Sequence, residues 1–182
     1  VIVRFFTIDK KKYLATCFVI VISLFSVLTV FSAAIWENDS TLFKEIVKSS
    51  PDSAFAHQNL GYAYFSRNRM DEAIREYSIA LKIDQNYAKA HHGIGLVYAV
   101  QGRLNEAVYE FSSALRLRPE YPEVLFALGR VYAAQGRLDE AVREYLNALR
   151  VKPLYPKASY NLGKVYEAQG CLDDAVQEYQ NA

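Results

Sequence analysis

Residues 95–107, GLVYAVQGRLNEA, and residues 129–141, GRVYAAQGRLDEA, are near copies of one another set 34 residues apart. The frame extends both ways. Gly61, Gly95, Gly129 and Gly163 keep the 34-residue step, and each is followed three residues later by Tyr64, Tyr98, Tyr132 or Tyr166. Ala73, Ala107, Ala141 and Ala175 recur next, then Tyr77, Phe111, Tyr145 and Tyr179, then Ala80, Ala114, Ala148 and Ala182. A unit of this size cannot bury its apolar face alone, so stacking of like units is the expected architecture. Each unit is read as two antiparallel helices. Small residues stand where the helices approach most closely and aromatic residues fill the space between them.

The turn within each unit reads RNRMDEA, QGRLNEA, QGRLDEA and QGCLDDA in succession. Gly102, Gly136 and Gly170 suit the left-handed backbone that ends a helix, and Asn68 is the next most tolerant residue for that conformation. Pro119 and Pro153 stop the second helix of two units, and Gln85, between Asp84 and Asn86, replaces the proline after the first unit.

At nearly every one of these positions the chain resembles the tetratricopeptide-repeat (TPR) family. The resemblance implies an all-α fold, a right-handed superhelix of helix-turn-helix units. Repeats are expected at 54–87, 88–121, 122–155 and 156–182, the last cut short within its second helix. Upstream, STLFKEIVKSSP places Phe43 and Pro51 in phase with the later aromatics and prolines, so 37–53 reads as a half-repeat that caps the array.

Family likeness also places the first helix of each unit on a concave surface that holds a protein or extended peptide. The first unit then contributes Phe55, Gln58, Asn59, Tyr62 and Phe65, and the second Lys89, His92, Leu96 and Ala99. Glu123, Phe126, Arg130 and Ala133 come from the third, and Lys157, Tyr160, Asn161 and Lys164 from the fourth. Rings supply contact area at low entropic cost, and an amide bonds both donor and acceptor of a peptide backbone. Asn59 and Asn161 match the asparagine ladder of O-GlcNAc-transferase-like repeats, but Gly93 and Ala127 interrupt it. The carboxylate clamp of chaperone-binding repeats is missing, because its positions hold Gln58, Tyr62, Gly93, Glu123 and Ala127.

Before the repeats, residues 13–36 carry no charged side chain. About 20 apolar residues in a helix cross a hydrocarbon core, so this segment is expected to span a membrane. Arg4, Lys10, Lys11 and Lys12 make 1–12 a basic juxtamembrane segment, whereas Glu37 and Asp39 follow the span. The positive-inside bias puts the repeats on the extracytoplasmic side, periplasmic or lumenal. A cleaved signal peptide ending near Ser32, Ala33 and Ala34 is the competing reading, and the apolar run exceeds the usual length of such a peptide's core. The opening residue is Val1 rather than Met, so a longer protein is expected.

Lys and Arg number 21 against 20 Asp and Glu, and from Ala54 onward each sign numbers 15. That balance argues against nucleic acid, which draws on a basic excess. No phosphate-cradling glycine loop, paired-cysteine zinc spacing or nucleophile elbow is present, so neither catalysis, a cofactor nor a metal is expected. His91 and His92 are adjacent, and side chains about 100° apart on a helix do not converge on one ion. Cys17 and Cys171 are too far apart to be expected as a disulfide, and Cys171, in the turn position of Arg103 and Arg137, reads as a free surface thiol.

Ten of the fourteen tyrosines fall at repeat positions and read mainly as core; Tyr62, Tyr109 and Tyr160 are the candidates for contact. The expected function is a membrane-anchored scaffold for protein or peptide. The alternative belongs to an enzyme class: a membrane helix, Trp36, a short helix and repeats also resemble the carboxyl end of polytopic O-mannosyltransferase-like proteins, in which these repeats would hold acceptor proteins. A cytoplasmic-facing assembly factor is the third possibility.

Overall fold

In this computed structural model the described residues are 21–22 and 41–182. The chain divides into two units, Val1–Leu42 and Phe43–Ala182, and the second is taken here by itself. The segment 13–36 expected to span a membrane lies outside the described residues except for Val21 and Ile22, which are helical. Among the described residues no helix is long and apolar enough to cross a membrane.

The described residues are all-α. Residues 41–49 form α1. Four helix pairs follow: α2 (Ala54–Phe65) with α3 (Met70–Ile83), α4 (Ala88–Val100) with α5 (Leu104–Leu117), α6 (Pro122–Ala134) with α7 (Leu138–Val151), and α8 (Pro156–Gln169) with α9 (Leu172–Gln180). Each helix packs on its partner and each second helix on the next first helix. First helices also touch one another, α2 on α4, α4 on α6 and α6 on α8, whereas α3, α5, α7 and α9 do not. The first helices therefore line the tighter, inner side of the array.

The pairing rests on glycine facing a ring. A Cβ added at Gly61, Gly129 or Gly163 would lie 2.8, 2.8 or 2.7 Å from Tyr77, Tyr145 or Tyr179, and one at Gly95 would lie 2.6 Å from Phe111. No side chain fits, so the helices approach to backbone-on-ring distance, and Tyr77, Phe111 and Tyr145 are almost fully buried. Burying a ring of that size contributes about 1.5–3 kcal/mol. Tyr179 is 36% exposed, because no further first helix packs on α9 among the described residues.

Each turn has the same chemistry. Asn68, Gly102, Gly136 and Gly170 have φ of 59°, 74°, 73° and 80°. This left-handed step lets the following N–H reach back to the signature tyrosine's carbonyl: Arg69 to Tyr64, Arg103 to Tyr98, Arg137 to Tyr132 and Cys171 to Tyr166, all at 2.9 Å. Three of those residues are arginines whose guanidinium then lies 4.6, 4.1 and 4.3 Å from the ring centre of Tyr64, Tyr98 and Tyr132. Each also bonds a carboxylate three residues on, Glu72, Glu106 or Glu140, where the amino end of a helix favours negative charge. Cys171 makes neither side-chain contact in the fourth turn, and it is exposed.

Ser53 caps α2 by accepting the Ala56 N–H at 3.3 Å, and Pro122 and Pro156 open α6 and α8. Where Gln85 replaces proline, the Asn86 N–H donates to the Asp84 carboxylate at 2.9 Å, an Asx turn. Phe43 and Val47 of α1 pack against the first unit's core of Leu60, Tyr64 and Tyr77.

Candidate functional site

Three rows of side chains run along the inner helices, one position per unit. Gln58, His92, Phe126 and Tyr160 form the first row. Tyr62, Leu96, Arg130 and Lys164 stand one turn on, and Phe55, Lys89, Glu123 and Lys157 one turn back. The first row rests on the aromatic layer. His92 lies 6.0 Å from Phe111 and 5.3 Å from Tyr121 between ring centres, Phe126 lies 5.9 Å from Tyr145 and 5.2 Å from Tyr155, and Tyr160 lies 5.7 Å from Tyr179.

Phe55, Tyr62 and Tyr160 are more than half exposed, at 58%, 57% and 52%. Lys89, Glu123, Arg130, Lys157 and Lys164 are exposed as well, while Gln58, Asn59, Phe65, His92, Leu96, Phe126 and Asn161 are partly buried. Phe65, Leu96 and Phe126 pack against the core clusters and offer only part of their surface. Asn59 and Asn161 donate their amide N–H to carbonyls of their own helices, Phe55 at 2.8 Å and Lys157 at 2.7 Å, so one donor of each is already used. Gly93 has a physical reason to break the asparagine row, since a Cβ there would run into the Tyr77 ring at 2.6 Å or less.

Two recesses open on this side. One, of about 140 Å³, lies between the first and second units and is lined by Gln58, Tyr62, Lys89, His92 and Leu96. The next, of about 180 Å³, lies between the second and third and is lined by Leu96, Ala99, Val100, Ala127 and Arg130. Burial holds the His92 imidazole down at about 4, against a smaller upward pull from Glu123, so the first recess presents a neutral ring near pH 7. The Tyr121 hydroxyl meets His92 Nδ1 at 3.4 Å. Burial pushes Tyr145 up to about 12, and hydrogen bonding to Glu167 at 2.7 Å does the same for Tyr179.

The adjacent histidines part company. His91 Nδ1 meets Glu110 at 2.7 Å on the second helix of its unit, away from His92. His57 repeats that bond with Glu76 at 2.7 Å and also meets the Pro51 carbonyl at 3.0 Å. These bonds between helices were not foreseen, although the signal was present: His57 to Glu76 and His91 to Glu110 share a spacing of 19. Among the described residues no cluster of His, Cys, Asp and Glu is arranged to hold a metal ion. Val100, 62% exposed on the second recess, was also missed, because Ser66 and Ala134 at the equivalent positions suggest no apolar row.

A family model described as TPR repeat matches residues 61–102, 98–136 and 129–170. No curated protein matches the chain in sequence. Among solved structures, the crystal structure of MamA is similar with a TM-score of 0.71 at 23% identity, over 82% of this chain and 88% of that one. TTC0263, a thermophilic TPR protein of Thermus thermophilus, gives 0.71 at 21% identity over 85% of each chain. A chain of the APC/C hetero-tetramer Cut9-Hcn1 gives 0.74 at 20% identity, over 80% of this chain and 28% of that one. At such identities these structures speak for the fold alone.

Proposed function

Because this chain belongs to the tetratricopeptide-repeat family, we propose that it is a membrane-anchored scaffold that holds a protein or extended peptide along its inner row of helices. The supporting observation is the groove itself. Exposed rings at Phe55, Tyr62 and Tyr160 and two consecutive recesses lie on the side where the first helices touch. Apolar rings set in a concave surface are what anchors binding. The Cut9-Hcn1 structure is a hetero-tetramer, so a chain of similar fold is found there assembled with another protein.

Anchoring rests on the uncharged run 13–36, and the extracytoplasmic placement of the repeats rests on the basic residues before it. The fuller alternative is that these repeats are the acceptor-holding end of a polytopic O-mannosyltransferase-like membrane enzyme. The order of apolar segment, Trp36, α1 and repeats favours it. Many membrane spans encoded upstream of Val1 would support that alternative, and a start codon close to Val1 would end it.

Site-specific photocrosslinking tests the scaffold reading. A photoreactive residue in place of Tyr62 or Tyr160 is expected to trap a partner in cells more efficiently than one in place of Tyr109, which is 65% exposed on α5. Crosslinks from Tyr109 alone would move the interface off the groove. Labelling of Cys171 only from the cytoplasmic side would overturn the extracytoplasmic placement.

A further inference from the structure

We propose that the groove takes an acidic peptide in extended form, with apolar side chains seated at the Phe55 and Tyr62 end and carboxylates on Arg130, Lys157 and Lys164. This rests on the groove being the binding surface. The argument is one of charge. From Ala54 onward the chain balances 15 cations with 15 anions, yet carboxylates outnumber cations on the second helices while cations outnumber carboxylates on the first. Carboxylates crowd the first turns of the second helices, at Asp71, Glu72, Glu106, Asp139, Glu140, Asp173 and Asp174. The turn arginines Arg69, Arg103 and Arg137 are committed to those carboxylates.

The groove cations are not. Among the described residues Lys89, Arg130, Lys157 and Lys164 form no ion pair. The inner helices hold Glu123 and Glu167 as their carboxylates, and Glu167 already accepts the Tyr179 hydroxyl. Solvation alone would scatter both signs along these helices. Their placement is ordered as well: α2 carries no Asp, Glu, Lys or Arg, and the cations gather toward α6 and α8.

Two of the cations are also held in place. Arg130 lies 5.9 Å from the Phe126 ring centre and Lys164 lies 6.0 Å from that of Tyr160, equivalent contacts one unit apart. Helices in contact lie about 8–10 Å apart, and an extended chain advances about 3.3 Å per residue, so carboxylates about three residues apart would meet successive units. At the other end the recess beside Tyr62 and His92 and the one beside Leu96 and Val100 offer apolar seats at a similar step.

The test is fluorescence anisotropy of labelled twelve-residue peptides against the full chain in neutral detergent. One peptide carries Phe and Leu in its first half and Glu at every third position of its second; in two others Gln or Lys replaces each Glu. The Glu peptide is expected to bind about tenfold tighter than the Gln peptide and the Lys peptide weakest, with the gap narrowing in high salt. The double substitution Arg130→Glu and Lys164→Glu, both exposed, is expected to close or reverse the gap between the Glu and Gln peptides. Equal binding of the Glu and Gln peptides, weakened alike by Tyr62→Ala, would overturn the acidic preference and leave the groove reading intact. No binding by any peptide that responds to Tyr62→Ala would overturn both.

Discussion

In the first two units His57 and His91 reach across to Glu76 and Glu110, whereas in the last two the same positions hold Leu125 and Ser159, opposite Glu144 and Glu178. Glu144 turns instead to Arg143 at 3.1 Å and Asn147 at 3.4 Å, and Glu178 keeps a buried carboxylate oxygen without a hydrogen bond. The groove changes between the same halves: the first carries the exposed rings Phe55 and Tyr62 with one cation, Lys89, and the second carries Arg130, Lys157 and Lys164 beside Glu123 and the rings of Phe126 and Tyr160. Glycine-on-ring packing is common to all four units. A repeat array thus fixes the residues between paired helices and leaves the bonds beside them and the inner face free to differ from unit to unit.

The shared packing is where substitution costs most. Tyr145→Ala removes a ring buried to 1% and is expected to cost about 3–5 kcal/mol in thermal or urea unfolding. Tyr179→Ala, at the exposed end of the same series, is expected to cost far less. Equal losses would break the view that each ring is held by the next unit's first helix. Gly129→Val forces atoms into the Tyr145 ring and is expected to cost about 1–3 kcal/mol, while Gly136→Val strains only a left-handed turn, at about 1–2 kcal/mol.

The bonds between helices separate the halves directly. His57→Leu leaves the partly buried Glu76 without its partner and is expected to cost about 1–3 kcal/mol. Leu125→His supplies the same bond opposite Glu144 and is expected to be tolerated better. If His57→Leu proved neutral, the two halves would be equivalent in their joints.

The fold was largely legible in the sequence, because its determinants are local and recur: glycine where a ring must approach, glycine or asparagine where φ turns positive, arginine after it. The inner face was legible as a set of positions and less so as a surface. Phe65, Leu96 and Phe126 lie on the inner helices, yet how much of each the core takes depends on the neighbouring unit's side chains. Asn59 and Asn161 turn their amides into their own helices, a rotamer choice that spacing does not reveal. The histidine–glutamate bonds join positions 19 apart on facing helices, so the period within either helix does not reveal them and only their recurrence one repeat on does.

Two further measurements sharpen the contrast. His92 is held down at about 4 from an ordinary 6.5, so between those values the unfolded chain binds a proton that the folded chain refuses. Its contribution is complete above about pH 6.5 and is lost as pH falls toward 4. Subtracting the pH–stability curve of His92→Gln from that of the wild type is expected to leave a slope confined to that window; Tyr121, Glu123 and Lys89 are the groups around the ring. Arg103→Ala removes an exposed pair with Glu106 and a stack on Tyr98, and is expected to cost about 1 kcal/mol or less.

The most direct test of a groove that runs from apolar to cationic is the direction in which a peptide lies. With Cys17→Ser in place, Cys171 in the fourth turn takes a fluorescent donor, and the Glu peptide carries an acceptor at either its acidic or its apolar end. Stronger energy transfer from the acidic end is the expected result. Equal transfer from both ends, or stronger transfer from the apolar end, would contradict it.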